Sequence, residues 1–140
     1  MKKILAVLLI VTAAIAAAAC TSPAEGLEDK VWLLESYGSP GSLKGVLAGT
    51  GITAEFAGAA KEVSGSAGCN RYSGHYRVDG TELAIEGPVA RTEIFCGNHI
   101  NAQENRYLEI LLDADSYSVE NGRLTIHSGE ELLLFMEQGF

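Results

Sequence analysis

Hydrophobic and polar residues alternate in short runs along most of the chain after residue 30. The run from Ile52 to Phe56 has a period of two, which places Ile52, Ala54 and Phe56 on one face of a predicted strand. Residues 31–36 (VWLLES) form a nearly continuous apolar run, which is typical of a strand buried on both faces. The pattern predicts a protein built mainly of β-strands.

Three turn signals separate the later strand candidates, and their residues supply the positive φ angles that tight hairpins need. The turn pairs are Asp79-Gly80, Asn121-Gly122 and Ser128-Gly129, and the strands they join span residues 72–78, 82–86, 116–120, 123–127 and 131–136. The inward residues are predicted to be Leu83, Ile85, Tyr117, Val119, Leu124 and Ile126. We therefore expect a meandering antiparallel sheet.

One segment has helical spacing instead. Residues 101–113 carry apolar side chains three or four positions apart, namely Tyr107, Leu108, Leu111 and Leu112. Asn101, with Glu104 three residues later, is typical of a helix N-cap and its capping partner. One amphipathic helix against an antiparallel sheet predicts an α+β fold.

Residues 38–51, which we call the glycine segment, interrupt the strand pattern. They hold five of the sixteen glycines and only three large apolar residues, Leu43, Val46 and Leu47. This composition predicts a long surface loop, and its glycine spacing matches neither a dinucleotide-binding fingerprint nor a P-loop. The three apolar residues are candidates for a contact patch with a partner protein.

The N-terminus has a pattern of its own. Of residues 1–19, sixteen are Ala, Val, Ile, Leu or Met, and the only charges are on Lys2 and Lys3. The apolar run is shorter than the roughly twenty residues that a membrane-spanning helix needs, and it ends in small residues. Residues 1–19 are therefore predicted to be a cleaved signal peptide.

The end of this segment, Ala17-Ala18-Ala19-Cys20, resembles the bacterial lipobox. The resemblance implies acylation of Cys20, and the lipid would hold the protein to a membrane. Residues 20–29 would form a polar tether, and residues 30–140 the folded domain. Thr21 in place of aspartate favours the outer membrane, facing the periplasm. The alternative is a secreted protein in which Cys20 is a free cysteine.

Charge and composition exclude some classes of function. The chain is 47% hydrophobic with a net charge of −8, and removal of residues 1–19 with their two lysines makes the charge −10. This acidity excludes nucleic acid as a partner. The carboxylates are scattered and predict a solvated surface. No catalytic residue, metal or cofactor is predicted, because His75, His99 and His127 stand apart and no Gly-x-Ser-x-Gly motif exists.

With Cys20 assigned to the lipid, Cys69 and Cys96 remain, and an oxidising envelope compartment favours a disulfide between them. Closing a loop of 27 residues would stabilise the fold by about 3–4 kcal/mol. Two alternatives are left open: a pair of free thiols, or a metal site in which His99 and His75 join the two cysteines.

The most distinctive string is residues 65–76, GSAGCNRYSGHY. Its glycines predict a bulged, sharply bent turn, and Asn70 is expected to close that turn with its own side chain. The string resembles the signature of the META domain, the family of HslJ-like bacterial envelope lipoproteins. The residues that carry the resemblance in and after the string are Gly65, Gly68, Cys69, Asn70, Tyr72, Gly74, Tyr76, Thr92 and Cys96.

Other family elements follow the same order along residues 30–137. They are Trp32-Leu33-Leu34, Thr92–Cys96 (with Ile94 where many members have Met), Tyr107–Leu111, Leu124–Ile126 and Leu132–Phe135. The resemblance implies a strongly curved antiparallel sheet, a barrel-like meander, packed on one α-helix. It also implies an envelope lipoprotein with a role in envelope stress or in tolerance of hydrophobic antibiotics, and the missing catalytic motifs predict that the protein is not an enzyme.

Two alternative functions stay open. One is a protein-interaction module for a periplasmic or envelope partner. The other is a binder of a small apolar ligand, in a cleft between sheet and helix. The residues that would line such a cleft, or would simply fill the core, are Trp32, Phe56, Tyr72, Tyr107 and Leu111.

Overall fold

The computed structural model describes residues 26–139. The predicted signal peptide, the predicted lipidation site Cys20 and most of the expected tether lie outside the described residues.

The described chain contains nine strands and one helix. In chain order they are β1 (Val31–Gly38), β2 (Lys44–Gly45), β3 (Thr53–Ala57), β4 (Glu62–Ser66), β5 (Arg71–Asp79), β6 (Glu82–Arg91), α1 (Asn98–Leu112), β7 (Ser116–Glu120), β8 (Arg123–Ser128) and β9 (Glu131–Glu137). All the strand pairs are antiparallel, and β1 pairs with β3 and with β9, so the curved sheet closes into a ring. The predicted α+β fold, a curved sheet with one helix, is confirmed.

Each strand of the ring has one face toward the interior and one face toward solvent, and only the interior face is buried. In β1, Trp32 and Leu34 are buried, whereas Leu33 between them is 38% exposed. The prediction that this strand is buried on both faces is therefore wrong, because the outer face of the ring meets solvent. Ile52, Ala54 and Phe56 all point inward and are fully buried, as their period of two predicts.

The three predicted hairpins are present, each within one residue of its predicted position. Asn121 and Gly122 both have positive φ and form the two-residue loop between β7 and β8, as in a type I′ turn. The other two loops lie one residue later than predicted, because Asp79 pairs with Glu82 and Ser128 with Glu131. The inward residues predicted for these strands are buried or half-buried in the core, and they are Leu83, Ile85, Tyr117, Val119, Leu124 and Ile126.

Helix α1 begins earlier than predicted. Its N-cap is Gly97, whose φ of 105° lets the chain turn into the helix, and its first residue is Asn98. Asn101 lies inside the first turn and accepts a hydrogen bond from the Cys96 N–H (2.8 Å). The predicted N-cap at Asn101 is therefore wrong, and Glu104, its predicted capping partner, accepts hydrogen bonds from Asn70 instead.

The helix packs its apolar side into the ring and completes the core. Tyr107 and Leu111 are fully buried, and the Tyr107 ring meets Phe135 of β9 edge-on. The five residues considered for an apolar cleft all lie in this packed core, at 3% exposure or less: Trp32, Phe56, Tyr72, Tyr107 and Leu111. Within residues 26–139, no helix is long and apolar enough to cross a membrane.

The last residues of the expected tether already belong to the fold. Leu27 is fully buried, and its carbonyl accepts a hydrogen bond from the indole N–H of Trp32 (2.9 Å). Glu28 accepts hydrogen bonds from the Tyr76 hydroxyl (2.7 Å) and the Lys61 ammonium group (2.5 Å). Residues 26–29 are thus packed on the domain, and a tether that reaches Asp29, as expected from the sequence, is wrong for these four positions.

Candidate functional site

The glycines of the 65–76 string each meet a local requirement. Gly65 lies in β4, where a Cβ atom would come within 2.0 Å of the Thr53 carbonyl oxygen on β3. Gly68 has a φ of +104° in the turn between β4 and β5. Gly74 lies at the register shift between β5 and β6, in agreement with the predicted bulge. The string therefore makes a tight turn and a close strand contact that a side chain would obstruct.

Asn70 follows this turn and is buried, with all of its side-chain atoms in use. Its Nδ2 donates to the Ile94 carbonyl (3.0 Å) and to Glu104 Oε1 (2.8 Å). Its Oδ1 accepts from the Thr92 hydroxyl (2.9 Å) and from the Ile94 N–H (2.7 Å). The prediction that Asn70 closes its own turn is wrong, since the side chain instead joins the turn to helix α1 and to the chain after β6.

Glu104 is the partner that makes this junction unusual. It is only 1% exposed, and its carboxylate accepts hydrogen bonds from the backbone N–H (2.6 Å) and the side-chain amide of Asn70. Arg91 lies at 3.9 Å. A buried carboxylate is tolerated when its oxygens are hydrogen-bonded and a cation is near. The expectation that the acidic residues form only a solvated surface is therefore wrong for Glu104.

The predicted disulfide between Cys69 and Cys96 is present, with 6.0 Å between the Cα atoms. It joins the turn after β4 to the end of the segment before α1, two residues ahead of the first helical residue Asn98 and beside the Asn70–Glu104 pair. Each sulfur is bonded to the other, so the free-thiol and metal-ligand alternatives are both wrong. In the described part of the chain, no group of three His, Cys, Asp or Glu side chains could hold a metal ion.

The hydroxyl groups of Tyr72 and Tyr76 form hydrogen bonds with other residues of the fold. The Tyr72 hydroxyl donates to the Thr53 carbonyl (2.9 Å) and lies 2.6 Å from the Tyr107 hydroxyl. Burial raises the pKa of Tyr72 and Tyr107, so both stay neutral. Burial also raises the pKa of Tyr76, and its hydrogen bond to Glu28 acts in the same direction. These groups tie the core together and are not poised to exchange protons at neutral pH.

Residues 92–97, which we call the Phe95 loop, are the segment that this junction supports. Phe95 is 74% exposed and Ile94 is 60% exposed, the highest values among the large apolar residues described. Their backbone is nevertheless held tightly, because the Asn70 side chain bonds both the N–H and the carbonyl of Ile94. The Asn101 side chain also donates to the Ile94 carbonyl and accepts from the Cys96 N–H. The loop presents two apolar side chains on a rigid support.

The sequence pattern does not reveal this surface. The contact patch predicted in the glycine segment is weaker, since Leu43 and Leu47 are only moderately exposed and Val46 packs against the core. An apolar pair directly before Cys96 was visible in the sequence. Nothing in its pattern separates a loop residue from a strand residue facing inward.

The buried polar side chains around Asn70 and Glu104 have their hydrogen bonds satisfied within the protein. Among residues 26–139, every buried side-chain nitrogen or oxygen has a hydrogen-bond partner. The Asn70, Glu104 and Thr92 groups are satisfied by one another and by backbone groups. The arrangement can therefore position a rigid apolar surface, and it holds no buried acid or base in reserve.

Solved structures share this fold. A protein from Burkholderia xenovorans, solved by NMR, superposes with a TM-score of 0.70 at 23% identity, over 81% of this chain and 85% of that chain. A second NMR structure gives 0.61 at 27% identity, over 79% and 90%. A DUF4847 family protein from Bacteroides vulgatus gives 0.58 at 14% identity, over 82% and 98%. No curated protein matches the chain in sequence.

The family model described as META domain matches residues 25–139, which include every residue that the structure describes. The match includes the turn of Gly65 and Gly68, the Cys69–Cys96 disulfide and the Asn70 junction. The family resemblance predicted from these residues is confirmed: the chain belongs to the META domain family.

Proposed function

We propose that this protein is a lipid-anchored, non-enzymatic lipoprotein of the bacterial envelope, whose META domain recognises a partner protein through the Phe95 loop. One observation carries the proposal. A phenylalanine that is 74% exposed stands on a segment held by a disulfide and by the buried Asn70–Glu104 pair. Exposed aromatic residues on rigid supports are frequent energetic centres of protein interfaces.

The rigid support matters for affinity. A loop that is already ordered loses little conformational entropy on binding, so more of the contact energy of Ile94 and Phe95 is available for association. Because both side chains are largely exposed, they contribute little to the stability of the isolated fold. The partner surface should offer an apolar pocket for Phe95 with basic residues around it, because the chain has a net charge of −8.

The absence of catalysis is part of the proposal. Its support is that the polar side chains of the family string are engaged with one another and with the backbone, as the bonds of Asn70 show. The tyrosines beside them are held neutral by burial, which raises their pKa. A reaction would need an acid, base or nucleophile free to meet a substrate.

The interface can be tested in cells. A photoreactive phenylalanine analogue in place of Phe95 should cross-link to one discrete partner, whereas the same analogue in place of Leu112, an exposed apolar residue on α1, should not. Ile94→Asp should abolish the cross-link from position 95, because a charge would have to be buried in the interface. Equal, diffuse cross-linking from both positions would contradict a specific interface.

The affinity can be measured once the partner is captured. Phe95→Ser should weaken binding at least about tenfold, as expected for loss of a central aromatic contact. Leu112→Ser is the matched control and should leave the affinity unchanged. Higher salt should slow association if basic residues surround the pocket.

The anchor rests on the sequence, in which a signal-peptide pattern ends in Ala17-Ala18-Ala19-Cys20. Cys20→Ser would remove the acylated sulfur and should release the protein from membranes. The measurement is fractionation of cells followed by a carbonate wash, with the unaltered chain as control. Continued sedimentation of the variant with membranes would exclude the lipid as its anchor.

A role in envelope stress and in tolerance of hydrophobic antibiotics is also a proposal, supported by resemblance to HslJ-like members of the family. Cells without the protein should become more sensitive to such an antibiotic, and the unaltered gene should restore tolerance. Restoration by Phe95→Ser to the same level would separate this role from the interface.

A further inference from the structure

An open cleft of about 480 Å³ lies on a different face of the domain from the Phe95 loop. Its walls are the end of β1, the glycine segment, the first half of α1 and the start of β9. The polar residues in its lining that matter here are Tyr37, Ser42, Lys44, His99, Arg106 and Glu131. The residues of α1 that face it are not the ones that hold the Phe95 loop, which are Asn101 and Glu104.

Tyr37 supplies a hydrogen-bonding group that the fold does not use. Its side chain is only 7% exposed, yet its hydroxyl makes no hydrogen bond to any residue of the described chain. Every fully buried side-chain oxygen in this part of the chain has a partner, so the unpaired Tyr37 hydroxyl keeps some contact with solvent. Because Tyr37 is buried in the core and also lines the cleft, the cleft is where this donor can meet a ligand.

Lys44 supplies an unpaired charge beside it. The other two lysines of the described range form ion pairs, Lys30 with Glu137 and Lys61 with Glu28, whereas Lys44 forms none with a described residue. Lys44 and Tyr37 are direct partners in the β1–β2 ladder, so their side chains project to the same side. A lysine left unpaired in so acidic a protein suggests an anionic ligand.

The opposite wall does not cancel this charge. Glu131 is the carboxylate in the lining, and it is bonded to Arg106, which also donates to Glu109 (2.7 Å). The glycine segment is held in place by Gln103, which accepts a hydrogen bond from the Leu47 N–H (2.7 Å) and donates to the Thr50 hydroxyl (2.9 Å). The cleft thus has walls that are held by hydrogen bonds, and Lys44 is the lysine in its lining that forms no ion pair.

We propose that this cleft binds the anionic group, a carboxylate or a phosphate, of a small polar molecule. The Lys44 ammonium group balances the charge, and the Tyr37 hydroxyl donates a hydrogen bond to an oxygen of the ligand. The site is independent of the protein interface proposed above. It uses other residues, and its failure would leave the role of the Phe95 loop untouched.

The test is a titration of the ¹⁵N-labelled full chain, in a neutral detergent, with citrate and separately with inorganic phosphate. The amide resonances of Ser42 and Lys44 should shift and saturate with at least one of the two anions. The anion that saturates at the lower concentration identifies carboxylate or phosphate as the preferred group. Shifts that grow without saturation for both anions would overturn the proposal.

Two variants and a control sharpen the result. Lys44→Gln should weaken binding at least about tenfold, and Tyr37→Phe about threefold to tenfold, as expected for a charged and a neutral hydrogen bond. Lys30→Gln removes the same charge far from the cleft and should leave the affinity unchanged. An equal loss in Lys30→Gln would show that only the net charge matters, and that result would overturn the site.

Tyr37→Phe keeps the buried ring, and Lys44 is exposed, so both variants should retain the fold. Amide spectra without anion should therefore match the unaltered chain outside the cleft. A folded Lys44→Gln variant that binds as tightly as the unaltered chain would also overturn the proposal.

Discussion

The Phe95 loop and the glycine segment lie on either side of helix α1, and the fold holds them in different ways. The Phe95 loop is attached by a disulfide and by a buried carboxylate that reaches it through Asn70. The glycine segment is attached by neutral bonds of Gln103 and by the two-residue strand β2. The first presents apolar side chains, and the second forms one wall of a polar cleft.

The contrast shows how one helix can support two kinds of surface. Covalent and charge-assisted contacts hold a loop in one conformation, which suits a contact that depends on shape. Neutral bonds and glycine leave a segment easier to open, which suits a cleft that a small molecule must enter. If the two attachments are separate, a variant that weakens one of them should leave the other segment unchanged.

The largest effect is expected from Asn70→Ala. The change removes one of the two hydrogen bonds to the buried Glu104 carboxylate and three bonds to the Phe95 loop, so it should lower the free energy of unfolding by about 3–5 kcal/mol. Urea unfolding measures the loss. Asn105→Ala, which removes one exposed hydrogen bond to Arg91, should change the stability by less than about 1 kcal/mol. Similar losses in both variants would refute the special role of Asn70.

Removal of the disulfide should come next. In Cys69→Ser with Cys96→Ser, the free energy of unfolding should fall by about 3.5 kcal/mol, as expected for an open loop of 27 residues. Hydrogen exchange should speed up in the Phe95 loop and stay unchanged in the glycine segment. Equal acceleration in both segments would mean that they are not attached separately.

The converse variant is Gln103→Ala. It removes the bonds to Leu47 and Thr50, and the expected loss is about 2 kcal/mol, since two neutral hydrogen bonds go and a buried Thr50 hydroxyl loses a partner. Amide exchange should accelerate at residues 44–50 and not at Ile94 or Phe95. Faster exchange in the Phe95 loop instead would show that Gln103 supports that loop and not the glycine segment.

The smallest effect concerns a site remote from both segments. Burial by itself would raise the pKa of Glu28, but hydrogen bonds from Lys61 and Tyr76 and the charge of Lys61 outweigh it and lower the pKa below its ordinary value of 4.5. The unfolded chain then binds the proton more readily. The stabilisation is therefore present above the ordinary pKa and is lost as the pH falls through the lower folded value.

An ion pair of this kind contributes about 1 kcal/mol or less. Unfolding of Glu28→Gln between about pH 3 and pH 7 should depend less on pH than unfolding of the unaltered chain, by that amount. Hydrogen exchange in both segments beside α1 should be unaffected. A steeper pH dependence in the variant would contradict the lowered pKa.

Much of the fold follows from local pattern. The period of two at Ile52, Ala54 and Phe56 identifies an inward face, and Asn121-Gly122 identifies a hairpin from its need for positive φ. In both cases the cause lies within a few neighbouring residues. The disulfide could also be predicted from the sequence, because only Cys69 and Cys96 remain once Cys20 is assigned to the lipid.

What the sequence does not show depends on distant contacts. Glu104 is buried because Asn70, 34 positions earlier, satisfies its carboxylate. A helical signal did exist, since Glu104 shares the face of Tyr107, Leu108 and Leu111 at spacings of three, four and seven. A charge on an apolar face is ordinarily exposed at its edge, and only the partner reveals otherwise. The exposure of Phe95 likewise depends on the path of the whole loop.

The burial of Leu27 has a consequence for where the domain can act. Leu27 lies only seven positions after Cys20, and seven residues of extended chain span at most about 25 Å. If Cys20 is acylated, the domain stays within roughly its own diameter of the bilayer. The short linker would then confine the domain to the membrane surface, where it meets only molecules that come to that surface.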